Sequence, residues 1–123
     1  MGESGYRELR VWQLGKELAV EIYRATAAGP LARDFGLRDQ LRRAAVSIPS
    51  NIAEGDERDT NKDSVRFLYI AKGSLAELRT QLEIARDVGA LAAEIHTALE
   101  AKCAELGRML GALIKVRSAS YNP

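Results

Sequence analysis

Apolar residues recur along this chain every three or four positions in four runs, a rhythm that predicts helix. The first run covers about residues 9–27, with Leu14, Leu18 and Ile22 at i, i+4 and i+8 and with Val11 and Ala25 widening the stripe. Gly29-Pro30 stops it, and residues 31–36 read as a linker. The second run covers about residues 37–53. Gly55 and the charged run Asp56-Glu57-Arg58-Asp59 then break the pattern. Thr60, with Asp63 three residues on, makes a helix cap. The third run carries Leu68, Ala71, Leu75, Leu78, Leu82 and Ala85 to about residue 88, and Gly89 suits the residue after a helix end. The fourth covers about residues 92–116, with Ile95, Leu99, Cys103, Leu106, Leu110 and Leu113 on its seam. Four such stripes pack most simply as an all-α, antiparallel up-down-up-down four-helix bundle over residues 9–116. Residues 1–8 form an N-terminal segment and residues 117–123 a C-terminal tail, frayed from Ser118 onward.

The second run is unusual. Leu37, Leu41, Ala44, Ala45, Ile48 and Ile52 fall on one arc, and Asp39, Arg43, Ser47, Ser50, Asn51 and Glu54 on another. Ser, Asn and Pro disfavour a helix interior, so this segment needs compensating interactions. Pro49 leaves the carbonyl of Ala45 without its usual partner, and a kink or loosening is expected there. Side chains of Ser and Asn can bond backbone groups freed in this way. The polar stripe and kink, Arg43, Ser47, Pro49, Ser50, Asn51 and Glu54, therefore read in two ways. It is a satisfied polar network against another helix or subunit, or a groove that holds a ligand or partner.

Several apolar side chains fall off the seams. Trp12, Tyr23, Phe67, Ile70 and Ile84 are candidates for an oligomer interface, and Met109 also lies off its seam. Single exposed apolar residues are normal, which is the competing account.

Composition adds mostly exclusions. The 123 residues carry 18 Lys and Arg against 17 Asp and Glu, a net charge of +1 that supplies no strong field. Arg33, Arg38, Arg42 and Arg43 nonetheless cluster, and Lys115 and Arg117 close the last run, where cations suit a helix C-terminus. One cysteine, Cys103, precludes an intrachain disulfide and a multi-thiolate site, and its seam position predicts burial. His96 is the single histidine, with Glu94 two residues before it, so the Glu-x-x-His pairs of a di-iron bundle are missing. It reads as an exposed or half-buried surface residue. No Ser-His triad and no phosphate loop is written here, so no enzyme, metal, cofactor or small-molecule substrate is expected. The start is polar and no apolar run is long enough to span a bilayer, so a cytoplasmic protein is expected. Gly107 and Gly111 suggest a close helix approach.

Arg-Arg-Ala-Ala-Val-Ser-Ile-Pro-Ser-Asn-Ile-Ala-Glu-Gly, from Arg42 to Gly55, resembles the hallmark of the proteins encoded by intervening sequences in bacterial 23S ribosomal RNA genes, also called the S23 family. Leu9-Arg10-Val11-Trp12-Gln13, Arg66-Phe67-Leu68 and the stretch from Ala71 to Leu82 agree with it. The resemblance implies an antiparallel four-helix bundle assembling as a homopentamer. More distantly, the chain is similar to the accessory variability determinant of diversity-generating retroelements, which works with a reverse transcriptase and RNA; the near-zero net charge departs from those strongly basic proteins. Two functions follow as expectations. One is an oligomer that engages RNA or a nucleic-acid enzyme, with Arg38, Arg42 and Arg43 facing phosphate and Ser47 and Asn51 making polar contacts. The other is an assembly or adaptor module for a protein partner, its polar stripe consumed by packing.

Overall fold

In the computed structural model, residues 5–120 are described, and all of their regular structure is helical. A 3-10 turn at Gly5–Glu8 precedes α1 (Arg10–Ala25), α2 (Gly29–Arg33), α3 (Phe35–Asp56), α4 (Asn61–Asp87) and α5 (Ala93–Ala119). The four long helices lie where the apolar stripes predict them. They meet in one core built from Leu18, Ile22, Leu41, Ile48, Ile52, Leu68, Leu78, Leu82, Leu106 and Leu110, all fully buried. Burying such a side chain contributes roughly 1.5–3 kcal/mol.

The helix boundaries follow from local chemistry. Asp34 accepts a bond from the amide of Leu37 at 3.1 Å and caps α3, and Thr60 accepts from the amide of Asp63 at 3.2 Å and caps α4. At the end of α4, Gly89 takes φ +78°. Its amide reaches the Arg86 carbonyl at 3.0 Å and that of Ala90 reaches Ala85 at 2.8 Å. These two bonds close the helix in a Schellman motif.

Several expectations are corrected. The linker at residues 31–36 begins with a short helix, α2, because Pro30 is compatible with a first helical turn and Gly29 reverses the chain at φ +69°. Leu31 on α2 is 1% exposed and plugs one end of the core. Gly55 lies inside α3, which runs on to Asp56. The last helix continues past Val116 to Ala119 and includes Arg117 and Ser118; residues 121–123 of the expected tail, like residues 1–4, lie outside the described residues. In α5 the buried line is His96, Leu99, Cys103, Leu106, Leu110 and Ile114, while Ile95 is exposed and Leu113 half-buried. Both lines obey helical spacing, and polarity alone pointed to the wrong one at the two ends.

α3 packs on α1 and on α4, and α5 packs on α4 and on α1. Cross-helix pairs fix their relative placement. Gly15 lies beside Pro49, Arg42 bonds Thr26, Ser47 meets Ser74, Arg79 pairs with Glu100, and Arg117 bonds Ser64. Among the described residues, no helix is long and apolar enough to cross a membrane.

Candidate functional site

The two sides of α3 differ in chemistry, and most of the residues singled out from the sequence lie on them. On the side facing α4, short polar side chains permit a close approach. Ser47 Oγ lies 2.8 Å from Ser74 Oγ, and Asn51 Nδ2 donates to Ser47 Oγ at 3.0 Å and to the Ser47 carbonyl at 2.8 Å. Asn51 donates to the Ser47 hydroxyl, and either hydroxyl of the Ser47–Ser74 pair can donate to the other. Ser47, Asn51 and Ser74 are half-buried in a network that bridges the two helices.

One turn further on, Gly55 admits the backbone of α4. A Cβ there would lie 3.0 Å from the Ser64 carbonyl and 3.2 Å from Phe67 Cβ. Arg117 reaches this corner from α5. Its guanidinium donates to Ser64 Oγ at 2.6 Å and to Asp56 Oδ1 at 2.9 Å, and both charged side chains are largely covered. Arg117 thus ties the last turns of α3 and α5 to the first turn of α4, a role beyond the helix-dipole one read from its position. Neither Ser64 nor Asp56 was singled out beforehand, since no local pattern links residues 53 and 61 apart in sequence.

The remaining stripe residues divide. Pro49 is buried within an unbroken α3, packed towards Gly15, where a Cβ would lie 3.6 Å from Pro49 Cβ. Asn51 bonds the carbonyl of Ser47, not that of Ala45, so the carbonyl freed by Pro49 is not the one its neighbours satisfy. Ser50 is exposed, and Glu54 pairs with Arg58 at 3.0 Å one turn on. Arg38 donates to Asp39 and to the Ala32 carbonyl and lies 4.7 Å from the Phe35 ring centroid. Arg42 donates to the buried Thr26 hydroxyl at 2.8 Å and lies 4.5 Å from the Tyr23 ring. These two guanidiniums hold the α1–α2–α3 corner together. Arg43 is exposed and makes no hydrogen bond or ion pair among the described residues.

On the side facing α1, α3 borders an open groove of about 790 Å³. Its lining is mostly apolar: Trp12, Val20 and Tyr23 from α1 and Val46, Pro49 and Ala53 from α3. Tyr6 meets Trp12 edge-on with ring centroids 5.1 Å apart. Lys16, Arg24 and Arg42 also line the groove, and among the described residues no carboxylate does. Of the interface candidates, Tyr23 is exposed and Trp12 half-buried here. Phe67 is half-buried elsewhere, with Arg58 at 4.3 Å and Arg66 at 4.7 Å from its ring centroid, and Ile70 and Ile84 stand exposed on α4. Val20 and Val46 went unremarked in the sequence, although both are apolar residues off the seams.

His96 is buried, contrary to expectation. Its Nδ1 lies 3.4 Å from Arg86 Nη1, and since a guanidinium only donates, Nδ1 accepts and the ring proton belongs on Nε2. Nε2 has no partner among the described residues. Cys103 is fully buried, and desolvation pushes its thiol up to about 12. Half-buried Gly107 lets Leu75 approach, with a Cβ contact of 3.5 Å, whereas Gly111 has open space around it. Among the described residues no cluster of three or more His, Cys, Asp or Glu is arranged to hold a metal.

Helices that share one core, a polar seam closed by Ser, Asn and Arg, and an apolar groove left open define an all-helical, bundle-like protein. Residues 7–112 match the family model described as 23S rRNA-intervening sequence protein, and the chain belongs to that family. The fold is similar to the crystal structure of a protein with unknown function from the S23 ribosomal protein family of Bacteroides thetaiotaomicron VPI-5482. The two share 24% sequence identity at a TM-score of 0.78, over 85% of this chain and 98% of that one. Comparison with curated proteins gives no match.

Proposed function

We propose that this chain is a non-enzymatic assembly module, an antiparallel up-down-up-down four-helix bundle that associates with copies of itself. Support for the topology comes from the cross-helix pairs: Gly15 with Pro49 and Thr26 with Arg42, Ser47 with Ser74 and Gly55 with Ser64, Arg79 with Glu100 and Ser64 with Arg117. In these three pairs of neighbouring helices, one number rises as the other falls. The observation that carries self-association is the placement of apolar side chains. Tyr23, Val46, Ile70 and Ile84 are all at least 40% exposed on three of the four long helices, while serines and an asparagine occupy an interhelical seam. The resemblance to the S23 family makes the pentamer the assembly to test first. Static light scattering at about 10 µM is expected to give several times the 13.5 kDa chain mass. A clean monomer contradicts the proposal.

A second reading, RNA binding, is favoured by one observation. Arg24, Arg42 and Arg43 border the exposed Tyr23 ring, and neither Arg24 nor Arg43 forms an ion pair among the described residues. Phosphate contacts of this kind weaken steeply with salt. In a mobility-shift titration, Arg24→Ala/Arg43→Ala is expected to weaken binding and flatten its salt dependence. Absence of any shift at micromolar protein contradicts this reading and leaves the assembly proposal standing.

A further inference from the structure

The groove between α1 and α3 and the exposed ridge of α4 match each other in length, polarity and charge. We propose that the α1–α3 groove of one copy receives the Ile70–Glu77–Ile84 ridge of α4 from a second copy. This rests on the self-association proposed above and names the two surfaces that meet.

The groove is long. Its α1 lining extends from Trp12 to Arg24, about 18 Å at 1.5 Å per residue. Such a trough between two helices suits a third helix laid along it, anchored by side chains at helical spacing. α4 offers one. Ile70, Glu77 and Ile84 are seven residues apart and fall on one line, about 21 Å long. Ile70 is 43% and Ile84 48% exposed. Gly73, between the first two, has nothing within 4 Å of an added Cβ, so the ridge has a flat place where a facing side chain can settle.

Charge separates this occupant from others. Among the described residues, the groove is lined by Lys16, Arg24 and Arg42 and by no carboxylate. Glu77, at the middle of the ridge, makes no ion pair among the described residues, and Glu83 beside Ile84 is 3.9 Å from its nearest cation. Lys16, Arg24 and Glu77 have no ion-pair partner among the described residues of one copy, and docking brings the two signs together. A chain cannot satisfy this by itself, because its α4 is already packed on α3 and α5. Groove and ridge lie on different surfaces, so the contact is head-to-tail, the arrangement that closes into a ring or propagates.

Single-cysteine cross-linking tests the contact. Val20→Cys chains mixed with Ile84→Cys chains are expected to give, on mild oxidation, a disulfide-linked dimer that neither variant gives alone. Cys103 contributes little background because it is 0% exposed. Charge exchange gives a second, independent readout: Arg24→Glu and Glu77→Arg should each weaken self-association about tenfold or more, and the two together should restore most of it. Circular dichroism on each variant separates misfolding from lost association. If the wild type is oligomeric but no mixed dimer forms and both charge variants associate normally, the groove–ridge contact is wrong while the assembly proposal survives. A monomeric wild type overturns both, and the groove then serves another occupant.

Discussion

α3 has two flanks, and they reverse the usual distribution of polarity. Towards α4 it presents Ser47, which meets Ser74, with Asn51 bonding Ser47 within α3, and at its end Gly55 and Asp56, which contact α4 and α5. Towards α1 it presents Val46, Pro49 and Ala53, and these line a groove that remains open. Polarity alone would make the first flank a surface and the second a core. Side-chain size explains the exchange. Ser side chains are short enough for α3 and α4 to approach closely, and Ser47 and Ser74 bond across the gap while Asn51 supports Ser47 from its own helix, so the seam loses little by being polar. On the other flank the rings of Trp12 and Tyr23 line the space beside α3 and leave an apolar trough. An exposed apolar trough gains by being covered, and a polar seam whose bonds are already made does not.

The largest difference between the flanks should appear at their glycines. Gly55→Ala pushes a methyl to 3.0 Å from a backbone carbonyl and is expected to cost about 1–3 kcal/mol in a denaturant titration. Gly15→Ala meets only ordinary contacts of 3.6–3.7 Å and gains helix propensity, so it should change stability by no more than about 1 kcal/mol in either direction. Equal losses would remove the contrast between a tight seam and a relaxed one.

Cys103 reports on the core that both flanks share. Its thiol is held well above the ordinary range by burial, so between about 9 and 12 the folded chain keeps a proton that the unfolded chain releases. Stability is therefore lost as pH rises through that window, by at most ~1.4 kcal/mol per pH unit. The difference in unfolding free energy between the wild type and Cys103→Ala should be flat below pH 8 and shrink above pH 9. A difference independent of pH up to 11 would contradict the burial account.

The smallest effects concern the polar stripe. Asn51→Ala removes two bonds within α3 that support the Ser47–Ser74 contact and should cost about 0.5–1.5 kcal/mol. Arg43→Ala, at an exposed side chain without a partner among the described residues, should stay within about 0.5 kcal/mol. If Asn51→Ala is as silent as Arg43→Ala, the asparagine does not support the Ser47–Ser74 seam.

Much of this was legible in the sequence. Apolar spacing at three and four placed the four long helices, and Thr60 and Gly89 marked real boundaries because cap and Schellman chemistry is local. His96 and Ile95 show where periodicity stops helping. Adjacent positions at a helix start both fit the stripe, and the packing of α5 on its neighbours decided between them. The polar stripe was visible as an anomaly, but its partner Ser74 lies 27 residues away, beyond any local rule. Arg38 and Arg42 looked like a basic patch because the groups they hold, the Ala32 carbonyl and the Thr26 hydroxyl, become neighbours only when α2 folds back.

The most direct test of the contrast between the flanks is the light-scattering mass of Val46→Glu, which puts a carboxylate in the groove without touching the seam. A fall towards 13.5 kDa with helical content and melting behaviour retained is the predicted result. An oligomer of unchanged mass would contradict the account and make the open groove a bystander to assembly.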